Sequence, residues 1–168
     1  EQIKHITNTQ YRKLKKHIKK IAENFDMETI HQFRVEYKKL RAFLRMLAAQ
    51  DETAVEITVS KKLKRAYTIS GSIRDLQLQQ GRITDATKGE QKKPQACLTL
   101  LQNEMDSLKP ELSEIILENP VNDSKKKTDA AMPDEFPLSG FRNFVQQKWA
   151  AIHAVIASGH FSDDNVHL

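Results

Sequence analysis

A chain of 168 residues, 39% hydrophobic and 29% charged, is long enough to build a packed core without metals or disulfides and too apolar for wholesale disorder. Its single cysteine, Cys97, allows no internal disulfide, and only five glycines and five prolines favour long helices over a sheet with many turns. The net charge of +5 is uneven: residues 1–82 hold 18 Lys and Arg against 9 Asp and Glu, and residues 83–168 hold 9 against 13, so the first half is suited to an anionic partner.

The first predicted helix spans residues 8–25, where Tyr11, Leu14, Ile18, Ile21 and Phe25 recur at three- and four-residue steps. Arg12, Lys13, Lys15, Lys16, His17, Lys19 and Lys20 lie between them. A break follows at Asn24, Phe25 and Asp26, with Asp26 or Thr29 suited to cap the next helix. That second helix is expected over residues 28–49, with Ile30, Phe33, Tyr37, Leu40, Leu44 and Leu47 as its apolar stripe. Asp51 and Glu52 suit the start of a third helix, carried to Gln80 through Ile57, Leu63, Tyr67, Ile73 and Leu76. The β-branched run at 55–59 weakens its first turns.

Residues 81–93 read as a loop, and Pro94 fits the first turn of a fourth helix. In that helix Leu98, Leu101, Met105, Leu108, Leu112 and Ile115 keep the step, Cys97 falls in the apolar period as a core thiol, and Pro110 is expected to bend or divide the helix. Residues 119–140 lack periodicity, contain Pro120, Pro133, Pro137 and three consecutive lysines from Lys125, and read as a linker or disordered loop. A fifth helix is expected over 141–158, burying Phe141, Phe144 or Val145, Trp149, Ile152 and Ile156. The fold class is all-α, an antiparallel helical bundle.

Two short segments share a pattern. Phe25-x-x-x-x-Ile30-His31 and Phe161-x-x-x-x-Val166-His167 match at the aromatic, the β-branched aliphatic and the histidine, 136 residues apart, with helix-starting polar residues between. This suggests an internal duplication, with a first lobe over 1–118, the linker at 119–140, and residues 141–168 as the start of a second lobe whose continuation would lie beyond Leu168.

The strongest functional pattern lies in the second helix. At ~100° per residue, His31, Arg34, Lys38, Arg41 and Arg45 fall within an arc of roughly 80° and span about 21 Å. The arc borders the apolar stripe, so the row sits at the margin of a packed interface. Glu36 is the one acid among residues 31–45 and is expected to point elsewhere, which leaves the row in need of an external anion. Arginine offers paired donors to phosphate oxygens, lysine a mobile charge and histidine a titratable donor, and repeating cations suit a repeating anion. Lys13, His17 and Lys20 of the first helix are candidate contributors from one side.

The stretch His31-x-x-Arg34-Val35-x-x-Lys38-Lys39-Leu40-Arg41 and the second motif Gly71-Ser72-Ile73-Arg74-Asp75-Leu76 resemble the CHAD (conserved histidine α-helical domain) family in order and helix placement. The resemblance implies paired helical lobes whose basic faces line a cleft or tunnel for inorganic polyphosphate; from the residues themselves no catalysis and no cofactor are expected. Carried over to this sequence, it implies that His31, Arg34, Lys38, Lys39 and Arg41 face the anion, with Arg74 joining from the third helix. Arg45 follows from the spacing as well. Asp75 is expected to orient a neighbouring cation. Association with polyphosphate granules would follow from such a ligand.

Two other readings of the basic face stay open: a nucleic-acid-binding helical protein, and an adaptor that docks an acidic protein. Nucleic acid ranks behind polyphosphate because Phe33, Tyr37 and Phe43 belong to or border the core side, which leaves no stacking or base-reading group in the row. The six histidines are scattered without zinc-ligand spacing, so no metal site is expected. A phosphohistidine relay through His31 and Arg34 fits loosely but does not need the crowded row. Apolar runs fall short of the ~20 residues of a membrane span, and the start is not signal-like, which predicts a soluble, cytoplasmic protein. Nothing in the pattern speaks to oligomeric state.

Overall fold

The computed structural model describes residues 1–49, 57–90, 94–132 and 138–159. Every regular element among them is a helix: α1 (Gln2–Asn24), α2 (Met27–Ala48), α3 (Lys61–Ala86), α4 (Gln95–Leu117), α5 (Pro120–Ala131) and α6 (Leu138–Ser158). The protein is all-α, as the helical periodicity predicts. The helices group into two units, one of Glu1–Arg41 with Val59–Ala130, the other of the described residues in Ala42–Thr58 and Ala131–Leu168.

In the first unit the predicted stripes are the core. Tyr11, Leu14, Ile18 and Ile21 of α1, Ile30, Phe33, Tyr37 and Leu40 of α2, and Leu63, Ile73 and Leu76 of α3 are all buried; Ile69, outside the predicted stripe, joins them, whereas the predicted Phe25 and Tyr67 are half-buried. Each large side chain removed from water in this way contributes roughly 1.5–3 kcal/mol before the entropy of ordering it. Leu76 of α3 clusters with Leu101 and Met105 of α4, flanked by Ile83 and Leu108.

The corner between α1 and α2 is set by two adjacent residues. Phe25 ends α1 in the left-handed region (φ 51°), its N–H donating to the Ile21 carbonyl at 2.9 Å. That conformation is costly for an aromatic residue. Gln77 Nε2 of α3 donates to the Phe25 carbonyl at 2.8 Å, and Lys109 Nζ lies 5.7 Å from its ring centroid, which hold it there. Asp26, one of the two expected caps, then accepts from the Thr29 N–H at 2.7 Å and from its hydroxyl at 2.8 Å. These hydrogen bonds hold the Asp26 carboxyl below its ordinary range.

Several boundaries differ from the expected ones. Helix α3 starts at Lys61, not near Asp51, because Ser60 caps it (Oγ accepts from Leu63 N–H at 3.2 Å) and residues 57–60 are non-helical, in keeping with the β-branched run. Residues 51–56 lie outside the described residues. At its other end α3 runs through Gly81 to Ala86, so the first six residues of the expected loop are helix. Pro110 does not divide α4: both it and Asp106, whose carbonyl loses a partner, are exposed, and water can serve that carbonyl. Cys97 is exposed rather than a core thiol, since the buried face of α4 begins one turn later at Leu101.

The largest correction concerns 119–140, expected as a linker or disordered loop. It contains α5. Asn119 turns the chain at φ 56°, and Pro120 takes the first helical position, where its missing N–H costs nothing. Val121, Ser124 and Thr128 are buried. The buried Tyr11 hydroxyl lies 3.1 Å from Ser124 Oγ and 2.6 Å from Thr128 Oγ1, and Ser124 Oγ also accepts from the Ser60 N–H at 3.0 Å. Burial pushes the Tyr11 phenol up, opposed by its hydrogen bonds to Ser124 and Thr128. This polar cluster docks α5 onto α1 and the start of α3. Residues 133–137 lie outside the described residues.

In the second unit Leu44, Leu47 and Ile57 are buried. The predicted inner face of α6 is not: Phe141, Val145, Trp149, Ile152 and Ile156 are 43–65% exposed. An amphipathic period fixes which face can pack, not what packs on it. The Phe161–His167 pattern lies outside the described residues.

Candidate functional site

The site is built where α2 lies against α3. Arg34 projects from α2 to α3, where its Nη1 donates to the Tyr67 carbonyl at 2.7 Å. Its guanidinium carbon stands 4.3 Å from the centroid of the Tyr67 ring. That ring is stacked on Tyr37 of α2, with centroids 4.1 Å apart and planes 17° apart. Tyr37 is 2% exposed, and burial pushes its phenol up while the charge of Arg41 pulls it down, so Arg41 acts on the same patch.

Gly71 completes the pocket for Arg34. A Cβ on Gly71 would lie 2.2 Å from Arg34 Nη1, 2.8 Å from its Cζ and 3.0 Å from its Nη2. A buried glycine in mid-helix is unfavourable by roughly 0.5–1 kcal/mol against alanine, and here its missing side chain is the space the guanidinium occupies. The two sequence motifs, 37 residues apart from Arg34 to Gly71, therefore meet at one side chain. The Tyr67 carbonyl takes one of five N–H donors of Arg34, and no carboxylate among the described residues pairs with it.

The other expected residues fall into three groups. Lys38 and Arg41 follow Arg34 along α2, exposed and without an ion pair among the described residues, while His31 precedes it, half-buried. Arg74 lies on α3 one turn beyond Gly71, half-buried, with its Nε enclosed and lacking a hydrogen-bond acceptor among the described residues. Asp75 is exposed and makes no ion pair among the described residues. Arg45 is exposed on the last turn of α2, in the second unit.

Lys39 stands apart. Its Nζ is 2.9 Å from Glu36 Oε1, and Lys13 Nζ of α1 approaches Glu36 Oε2 at 3.8 Å. Glu36, 6% exposed, is thus a buried acid that joins α1 to α2, and its second oxygen has no hydrogen bond among the described residues. The expectation that Glu36 points away from the row holds, yet it is not idle: it commits Lys39 and Lys13. His17 of α1 is nearby, its pKa lowered first by burial, with Lys16, Lys20 and Lys13 adding and Glu36 opposing.

Sequence reasoning missed the partners of Arg34. The spacing identified the cations, but neither Tyr67 nor Gly71 carries charge. The readable signal was Gly71 itself, a glycine inside a helical period, which marks a close approach. No three His, Cys, Asp or Glu side chains among the described residues converge as metal ligands, and no helix there is long and apolar enough to cross a membrane.

Fold and site define an all-α protein with a row of cations along one helix, ordered against its neighbour by a shared arginine. The chain belongs to the CHAD domain family, which it matches over residues 5–167. Comparisons with curated proteins and with solved structures gave no significant match.

Proposed function

We propose that the protein binds inorganic polyphosphate, without transforming it, through His31, Arg34, Lys38 and Arg41 of α2 and Arg74 of α3, with Lys39 at the margin and Arg45 continuing the row by spacing. The observation that carries this reading is the disposition of charge. The sole acid of residues 31–45 is buried and engaged with Lys39 and Lys13, while Arg34, Lys38 and Arg41 have no carboxylate partner among the described residues. Unneutralised cations at 3- and 4-residue steps match a chain of repeating anions better than one phosphate. Family membership supports the same ligand, since CHAD domains are associated with polyphosphate.

Nucleic acid fits less well. Single-strand binding draws on aromatic faces open to bases, and Tyr37 and Phe33 are buried, with Tyr37 already stacked on Tyr67. The test is titration of the protein with long-chain polyphosphate, single-stranded DNA and double-stranded DNA across a salt series, beside an Arg34→Ala/Lys38→Ala/Arg41→Ala variant. Polyphosphate should bind tightest at moderate salt, and the variant should lose about a hundredfold, from three charged contacts of about 1 kcal/mol each. Equal competition by DNA, or an unaffected variant, would make the row a generic cationic face.

A further inference from the structure

We infer that Gly71 and Tyr67, which carry no charge, are positioning residues of the anion site: they hold the Arg34 guanidinium in one place before ligand arrives. The inference rests on the polyphosphate reading for its consequence, but its structural half stands alone. Arginine has many rotamers, and an exposed one in a cationic row loses that freedom on binding. Arg34 has lost it already. Its Nη1 is tied to the Tyr67 carbonyl at 2.7 Å, its plane lies over the Tyr67 ring at 4.3 Å, and it fills the space where a Gly71 side chain would be. Tyr67 is in turn fixed by its stack on Tyr37. Lys38 and Arg41 have no comparable hold among the described residues. The row is therefore one held guanidinium followed by cations with no such hold among the described residues.

Gly71 makes this testable because stability and binding should move apart. A Cβ at Gly71 meets only the far end of a flexible side chain. Gly71→Ala should therefore swing the guanidinium out while the helix gains from alanine. A residue needed only for packing would lose stability and binding together.

The experiment uses three variants of the whole protein: Gly71→Ala, Tyr67→Leu and Arg34→Ala, with the Gly71→Ala/Arg34→Ala double. Thermal melts, NMR of the arginine side-chain Nε–H groups and titration with long-chain polyphosphate are read on each. Expected for Gly71→Ala is a melting temperature at or above wild type, loss of the ring-shifted, slowly rotating Arg34 signal, and about tenfold weaker binding. Tyr67→Leu should likewise lose the signal and weaken binding. In the Arg34→Ala background, Gly71→Ala should have no further effect on binding. If the Arg34 signal is ordered in wild type but Gly71→Ala binds as wild type does, the positioning role is overturned while the polyphosphate reading stands. If wild type shows the ordered signal yet no variant and no wild-type sample binds polyphosphate, the functional reading fails and takes the consequence with it. An Arg34 signal that is mobile in wild type overturns the structural half directly.

Discussion

Lys38 and Lys39 offer a sharp test of where the anion lies, because the same charge is removed from adjacent positions. On α2 they point about 100° apart, so their tips, on a helix about 11 Å across with side chains, are about 8 Å from each other. A charge that far from a phosphate contributes ~0.5 kcal/mol in water, and salt at physiological strength screens it to about 0.2 kcal/mol, less than a twofold effect. A direct lysine–phosphate contact at an exposed site contributes about 1 kcal/mol, or roughly fivefold. Lys38 follows Arg34 in the row without an ion pair among the described residues, whereas Lys39 turns to Glu36 at 2.9 Å. Lys38→Ala should therefore weaken polyphosphate binding about fivefold and reduce the slope of log affinity against log salt by about one. Lys39→Ala should change affinity less than twofold and leave the slope nearly unchanged. Calorimetric titration at four salt concentrations reads both. Equal losses for the two lysines would refute the placement, because only a diffuse field treats them alike.

Glu36→Gln should lower stability by about 1 kcal/mol in urea denaturation, discounted because both lysines are about half exposed. The same change should leave polyphosphate binding equal or up to threefold tighter, since Lys13 and Lys39 are released. The His17 pKa lies below its ordinary value in the fold, chiefly from burial, so the unfolded chain takes up the proton first as pH falls. Its contribution is intact above about pH 6.5 and should be lost as pH drops below it; urea midpoints at two pH values should converge in His17→Gln. Lys38→Ala/Arg41→Ala removes like-charge neighbours at helical steps and adds two good helix formers, so the ligand-free melting temperature should equal or exceed that of wild type, while the rise caused by polyphosphate shrinks. A lower ligand-free melting temperature would show that the two cations hold the fold together.

The parts of this architecture that were legible are those that depend on one helix at a time. The stripe from Ile30 to Leu40 and the row from His31 to Arg41 need only the 3.6-residue period, and Asp26 needs only its distance from Thr29. What escaped depends on other helices. Segment 120–131 packs with Val121, Ser124 and Thr128, which make no apolar stripe because only Val121 is apolar; Ser124 and Thr128 meet the hydroxyl of Tyr11, more than a hundred residues away. The α6 stripe was readable as a face, yet its exposure was not, because the covering partner is no property of the stripe. Arg34 was readable as a cation, but its fixed position depends on Tyr67 and on the absence of a side chain at Gly71.

Several locally unfavourable choices of the first unit gather around Arg34. Arg34 and Lys38 repel at an i,i+4 step, and Lys38 and Arg41 at i,i+3, each pair by a few tenths of a kcal/mol. Gly71 adds roughly 0.5–1 kcal/mol by interrupting α3 with a flexible residue. The enclosed Arg74 Nε, one turn further on, lacks an acceptor among the described residues. A sequence free to optimise stability would put alanine at Gly71 and carboxylates between the cations, as it does on the other side of α3, where Lys62 meets Glu118 at 2.6 Å and Arg65 meets Glu111 at 2.5 Å. The α3 surface that faces α4 is thus neutralised by ordinary ion pairs, and the surface that meets α2 is not. Both surfaces belong to one helix, so the difference cannot come from its composition in bulk. The cations without an ion pair among the described residues lie on the face where the two sequence motifs converge on Arg34, the asymmetry that the proposed anion site would require.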